Sequence, residues 1–211
     1  GYSNFKPKLK PILMSQKWMK ASMKYKIKNH EIYHLKNRVV ITFDLKIYGF
    51  SNFTLEYTVF VDGKITLNMS ATAQKDLVRF GYQLKLHNDF KDIQWYGRGP
   101  EENYCDRKTG SKIRQHIKKI DNMPHLYMRP QENGYRCDTR DIRLIGNKTT
   151  LRITDITGKH FGFSIWPYSQ EQIQLKEHRH LLEKEDHLTL NIDSVQQGVG
   201  GDLPGVANLH E

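Results

Sequence analysis

Two runs hold most of the chemistry open to this chain of 211 residues. Trp95-Tyr-Gly-Arg-Gly-Pro-Glu-Glu-Asn-Tyr-Cys-Asp-Arg107 and Tyr127-Met-Arg-Pro-Gln-Glu-Asn-Gly-Tyr-Arg-Cys-Asp-Thr-Arg140 lie nineteen residues apart. Each mixes Gly or Pro, which set unusual backbone angles, with Arg, Glu, Asn, Asp and Tyr, which supply charge, hydrogen bonds and flat apolar surface. Such loops pin themselves by bidentate ion pairs, face a neighbouring domain, or offer planar polar pairs and an aromatic platform to a sugar. In the first run the candidates are Arg98, Glu101, Glu102, Asn103, Tyr104, Asp106 and Arg107; in the second they are Arg129, Glu132, Asn133, Arg136 and Arg140. Gly97, Gly99 and Pro100 predict a tight turn that puts Glu101 and Glu102 in the first turn of a short helix, and Asn133-Gly134 predicts a chain reversal.

Other constellations point to less. His178 and His180, two apart, are expected on one strand face, but no third ligand occurs at suggestive spacing, so no metal or other cofactor is expected in this chain. Gly198-Val-Gly-Gly-Asp202 has the glycines of a phosphate-cradling loop without the Lys-Ser/Thr after it or a helix to open. Cys105 and Cys137 fall one in each run, and two thiols in a chain of this length without a secretory signal predict free cysteines and a reduced, cytoplasmic setting. Lys plus Arg outnumber Asp plus Glu by 33 to 23, for a net charge of +10. The excess is densest before residue 30 and comes with no zinc-finger or helix-turn-helix pattern, which argues against a nucleic-acid partner. No run of eighteen apolar residues occurs, so no helix is expected to span a membrane.

The elements that must position these residues are strands. Residues 1–24 read as a lead-in, interrupted by Pro7 and Pro11, with a helical turn around Trp18 that packs on the main body or a neighbour. From Tyr25 the period becomes two, through Glu31–Leu35, Val39–Tyr48 and Phe53–Val61, and Asp62-Gly63 predicts a hairpin into Lys64–Ser70. Arg79–Leu86, Ile93–Tyr96, Thr150–Thr154, Phe161–Trp166 and Leu188–Ile192 continue the pattern. About ten strands and one helix near Gln170–Leu175 predict an all-β protein, a large antiparallel β-sandwich with at most one or two short helices over residues 25–211. Both ends read as cut from a larger polypeptide, so flanking strands are expected to be missing.

The two runs resemble the C-terminal, small-chain domain of the glycoside hydrolase family 2 β-galactosidases, whose corresponding stretches read W-x-G-x-G-P-x-E-N-Y-x-D-R and Y-x-x-P-x-E-N-G-x-R-x-x-x-R. A third stretch extends the likeness over most of residues 90–205: Tyr168-Ser-Gln-Glu-Gln-Ile-Gln-Leu175, His178-Arg-His-Leu-Leu182, Leu190-Asn-Ile-Asp193 and Gly198–Asp202. The resemblance implies a supersandwich like that of galactose mutarotase, with this face of the sandwich turned towards a catalytic barrel. It implies that the acid pair, with Mg and Na, sits in that barrel, which needs about 250 residues of its own. The partners implied are therefore a barrel-bearing chain or segment, a galactoside at the shared site, and an oligomer. In the family an aromatic side chain just after G-x-G-G-D enters the pocket. Here that place falls at Gly205, within Asp202-Leu203-Pro204-Gly205, which holds no aromatic: either Leu203 or Pro204 supplies a smaller apolar wall, or His210 compensates, or the contribution is absent. The expected function is a non-catalytic domain completing a β-galactosidase; the alternative is a stand-alone carbohydrate-binding or aldose 1-epimerase-like module using Glu132 with His178 or His180.

Overall fold

The computed structural model describes residues 17–125 and 127–200, and the chain divides into two compact units, Gly1–Val78 and Arg79–Glu211. In the first unit a helix over residues 17–23 (α1) precedes four strands, β1 Lys26–Leu35, β2 Arg38–Lys46, β3 Phe50–Phe60 and β4 Ile65–Ala73, which pair in order as an antiparallel meander. The hairpin expected at Asp62-Gly63 joins β3 to β4, with Lys64 N donating to the Asp62 carboxylate at 3.0 Å. Trp18 of α1 lies edge-on to Tyr48 and Phe50, and its indole N–H donates to Asp76 O at 3.0 Å. Gly49 is required there: its φ is +85°, and a Cβ would stand 2.4 Å from the Trp18 ring.

The second unit is the sandwich. Its strands are β5 Arg79–His87, β6 Phe90–Gly99, β7 Lys112–Lys119, β8 Arg136–Thr139, β9 Asp141–Gly146, β10 Thr150–Thr154, β11 Phe161–Trp166 and β12 His187–Gln196. One sheet has the order β10-β9-β6-β7 and the other β5-β12-β11-β8. Ile93 and Trp95 of β6 with Ile142 and Leu144 of β9 face Phe163 and Ile165 of β11 and Leu188 and Leu190 of β12 in one apolar core. Burial of each such side chain stabilises the fold by about 1.5–3 kcal/mol. A short helix, α2 Gln170–Leu175, is capped by the Ser169 hydroxyl, which accepts from Gln172 N.

Three features depart from the sequence reading. Strands β7, β8 and β9 have no counterpart in it, and β8 falls inside a run read as loop. No helix comes after Pro100: Tyr104 and Arg107 close a tight turn instead, by reciprocal backbone bonds of 3.3 and 2.9 Å. His178 and His180 lie on a 3-10 turn rather than a strand, with rings stacked 5.5 Å apart.

Candidate functional site

Sheet register brings the two runs together. Tyr96 near the end of β6 pairs with Asp141 at the start of β9, and Arg140 N donates to Tyr96 O at 2.9 Å. The loop leaving β6 therefore lies beside the segment entering β9. Between Thr139 and Asp141 the chain passes from one sheet to the other, so the second run closes one end of the sandwich.

Four side chains lace the runs into one body. Glu102 accepts the Tyr127 hydroxyl and Arg107 Nη2 (2.5 Å) on Oε1, and Gly134 N (2.9 Å) on Oε2. Asn103, fully buried, accepts Cys137 N at 2.8 Å and donates to Glu101 O at 3.0 Å. Asn133 accepts His125 N at 3.1 Å and donates to Gln131 O at 2.7 Å, while its own carbonyl takes the Trp166 indole N–H at 3.1 Å. Arg136, 1% exposed, donates to Met123 O (2.9 Å), Gly134 O and Pro100 O (3.0 Å) and lies over Trp95. Burial brings its pKa down to about 10, because a cation out of water lacks solvation that carbonyl dipoles only partly replace.

A second cluster joins Arg98, Asp138, Lys108 and Arg140. Arg98 Nε meets the Asp138 carboxylate at 2.5 Å, Lys108 Nζ reaches it at 3.2 Å, and Arg140 Nη1 donates to Asp138 O at 2.6 Å. Burial works to raise Asp138, but the hydrogen bonds from Arg98 and Lys108 hold it below the ordinary aspartate value. Asp138 has a φ of +49°, a left-handed conformation that aspartate tolerates better than most residues.

A third cluster is only half visible in the sequence. Arg79 Nε and Nη2 bind Asp193 Oδ2 at 2.7 and 2.6 Å, and Nη1 binds Glu132 Oε2 at 3.1 Å. Burial raises both carboxyls, with Arg79 opposing the rise. Tyr104 and Tyr135 stack alongside, 5.4 Å between centroids, and burial raises both phenols. Arg79 and Asp193 are not among the sequence candidates. A signal for them exists all the same: an Asp that ends the apolar strand Leu188–Ile192 must find a cation when buried.

The other candidates are more scattered. Glu101 is exposed and reaches Lys118 Nζ at 2.8 Å, a hydrogen bond that lowers its pKa. Arg129 is exposed beside Met128, itself 83% exposed. Asp106 binds backbone amides of Val199 and Gly200. Asp202, Leu203, Pro204 and Gly205 lie outside the described residues. Cys105 is exposed and Cys137 buried, both as free thiols. Among the described residues, consecutive Glu185, Asp186 and His187 bring ligand atoms within 4.8 Å of one another, with Asp186 97% exposed. No described helix is long and apolar enough to cross a membrane.

Fold and site thus define an all-β sandwich with one end sealed by a dense, internally bonded polar lattice. The β-galactosidase small-chain family profile matches residues 8–211, and the chain belongs to that family. It is 37% identical over 150 residues to a β-galactosidase of Lactococcus lactis subsp. lactis, covering 70% of this chain. Over 92% of the chain it is 29% identical to the β-galactosidase of Priestia megaterium and 28% identical to that of Halalkalibacterium halodurans. The chain spans only 14%, 19% and 20% of those three relatives.

Proposed function

We propose that this chain is the non-catalytic C-terminal domain, or small subunit, of a glycoside hydrolase family 2 β-galactosidase. It completes and supports the active site of a separate barrel domain that hydrolyses terminal β-D-galactosides such as lactose. The observation that carries this reading is the family match over residues 8–211 in a chain that spans a fifth or less of its relatives. The chemistry of the loop acids supports it. Glycoside hydrolysis uses two carboxyls about 5 Å apart for retention, or roughly 6.5–9.5 Å for inversion, both open to the sugar. Here Glu102, Glu132, Asp138 and Asp193 are each engaged by Arg, Lys, Tyr or backbone donors of the same chain. A guanidinium lies between Glu132 and Asp193, so neither is a free acid or nucleophile facing the other. Glu101 and Arg107 of this lattice, with Met128 and Arg129 beside it, are exposed and are the surface we assign to the barrel contact.

The test is complementation. The purified chain alone leaves a chromogenic galactoside intact, and mixing it with the barrel-bearing chain or segment restores hydrolysis. Full turnover by the chain alone would refute the reading. Accelerated mutarotation of α-galactose by the chain, measured by polarimetry, would favour the epimerase-like alternative instead.

A further inference from the structure

At the other end of β6 from the first motif run, β5 and β12 bring two histidines side by side. His87 ends β5 and His187 begins β12, and the two are Cα partners in the antiparallel ladder. Residues in that relation share a face of the sheet, with Cβ atoms about 4.5–5.5 Å apart. The face is the outer one, since the neighbouring pair Leu86 and Leu188 turns into the core. Side chains do meet across these strands: further along the same face, Gln83 Nε2 donates to Asn191 Oδ1 at 2.9 Å. His87 and His187 line one open cleft with Lys85, Leu86, Asn88 and Asp186. Each imidazole also has an acid at its Nδ1. Asp89 Oδ2 stands 3.3 Å from His87 Nδ1, and Asp186 Oδ1 stands 2.9 Å from His187 Nδ1. A carboxylate there keeps the proton on Nδ1 and leaves Nε2 as a lone-pair donor, the second-shell support of a metal-bound histidine. His187 Nε2 is buried with no hydrogen-bond partner, an unmet acceptor of the kind a metal ion satisfies.

We propose that His87 and His187, with Glu185, form a site for a divalent transition ion of the zinc class. Two imidazole nitrogens on one zinc ion stand about 3.3 Å apart, within the span of the cross-strand pair, and His87, 74% exposed, can swing its Nε2 to meet that of His187. Glu185 offers the third donor: ligand atoms of Glu185, Asp186 and His187 lie within 4.8 Å of one another, and Gln172 Nε2 holds Glu185 Oε1 at 2.6 Å. Imidazole nitrogen favours such an ion over Mg, which prefers oxygen. Lys85 lines the same cleft and opposes the charge of the ion. The sequence draws attention to His178 and His180, which lie on a 3-10 turn; the pair made by the fold is a different one. An ion bound there ties the end of β5 to the start of β12, and a clip that closes a long stretch of chain stabilises the fold.

Calorimetric titration of the full chain with zinc chloride tests the site, and its reading does not depend on galactosidase activity. One ion per chain is expected, with excess Mg failing to compete. H87A, at an exposed position, and H187A are each expected to weaken binding about a hundredfold, and D186N roughly tenfold to a hundredfold. The double variant H178A/H180A leaves it unchanged. Long-range proton–nitrogen NMR spectra of the wild-type chain should show zinc shifting Nε2 of both His87 and His187, a readout free of any variant that folds poorly. Zinc should also raise the melting temperature of wild type and not that of H87A. The absence of binding, binding that H87A leaves untouched, loss of binding in H178A/H180A, or displacement of zinc by Mg each overturns the site.

Discussion

Arg136 is a buried cation whose partners are carbonyl oxygens, on Met123, Gly134 and Pro100. Replacing it with methionine fills much of the volume and strands three acceptors. Urea unfolding of R136M is expected to show a loss on the order of 3 kcal/mol, and R136K, without the fork geometry, a loss only somewhat smaller. The carboxyls behave oppositely with pH. Asp138 sits below its ordinary value of 3.8, so its contribution is present above that value and lost as pH falls through the lower folded pKa. D138N should therefore cost about 1 kcal/mol at neutrality and flatten the acid limb of the stability curve. Glu132 and Asp193 are raised, so the folded state holds their protons longer and their contribution declines as pH rises from the ordinary carboxylate range. E132Q should lose less stability than wild type between pH 4.5, the ordinary glutamate value, and neutrality. Thermal melts of the variants across pH check both signs.

Among the elements, the strands rich in β-branched and aromatic residues are legible in the sequence: β2, β3, β5, β11 and β12 all fall where such runs are read, although β11 is buried along its whole length and shows no alternation. β7 is hidden because Lys112-Ile-Arg-Gln-His-Ile-Lys-Lys119 has Ile113 and Ile117 exposed and basic residues around them, a signature closer to a solvated loop. β8 is hidden for the opposite reason. Its Arg136, Cys137 and Thr139 are buried, but Arg136 and Thr139 are polar and held by hydrogen bonds, and only Cys137 joins an apolar cluster, so the composition imitates a loop. The motif residues can be chosen from sequence, yet their pairing cannot, because the register Tyr96↔Asp141 that brings the runs together is a long-range fact. Arg79 escapes for the same reason, 53 and 114 residues from its two carboxylates. The α1–β3 junction gives an element-scale prediction. Gly49→Ala places a methyl in the Trp18 ring at a backbone angle alanine rarely adopts. It should destabilise the first unit by about 2 kcal/mol or more in chemical denaturation, with little effect on the sandwich.

Across the whole molecule burial is uneven. Among the described residues of the first unit only Ala21 is buried, whereas the apolar core lies entirely within the second. Local stability tracks buried apolar contact, so amide hydrogen exchange should protect β6, β9, β11 and β12 longest and release β1–β4 first. Equal protection in both units would contradict that distribution. The placement of the two thiols has a practical outcome for monitoring assembly. Burial pushes Cys137 up to about 12, and Cys105, exposed, is also raised, by burial and then by Asp106. Since alkylation proceeds through the thiolate, mildly alkaline maleimide treatment should install a single fluorophore at Cys105 without engineering. That dye would sit against Gln196, and a rise in its anisotropy on titration with the barrel-bearing chain would test the proposed association.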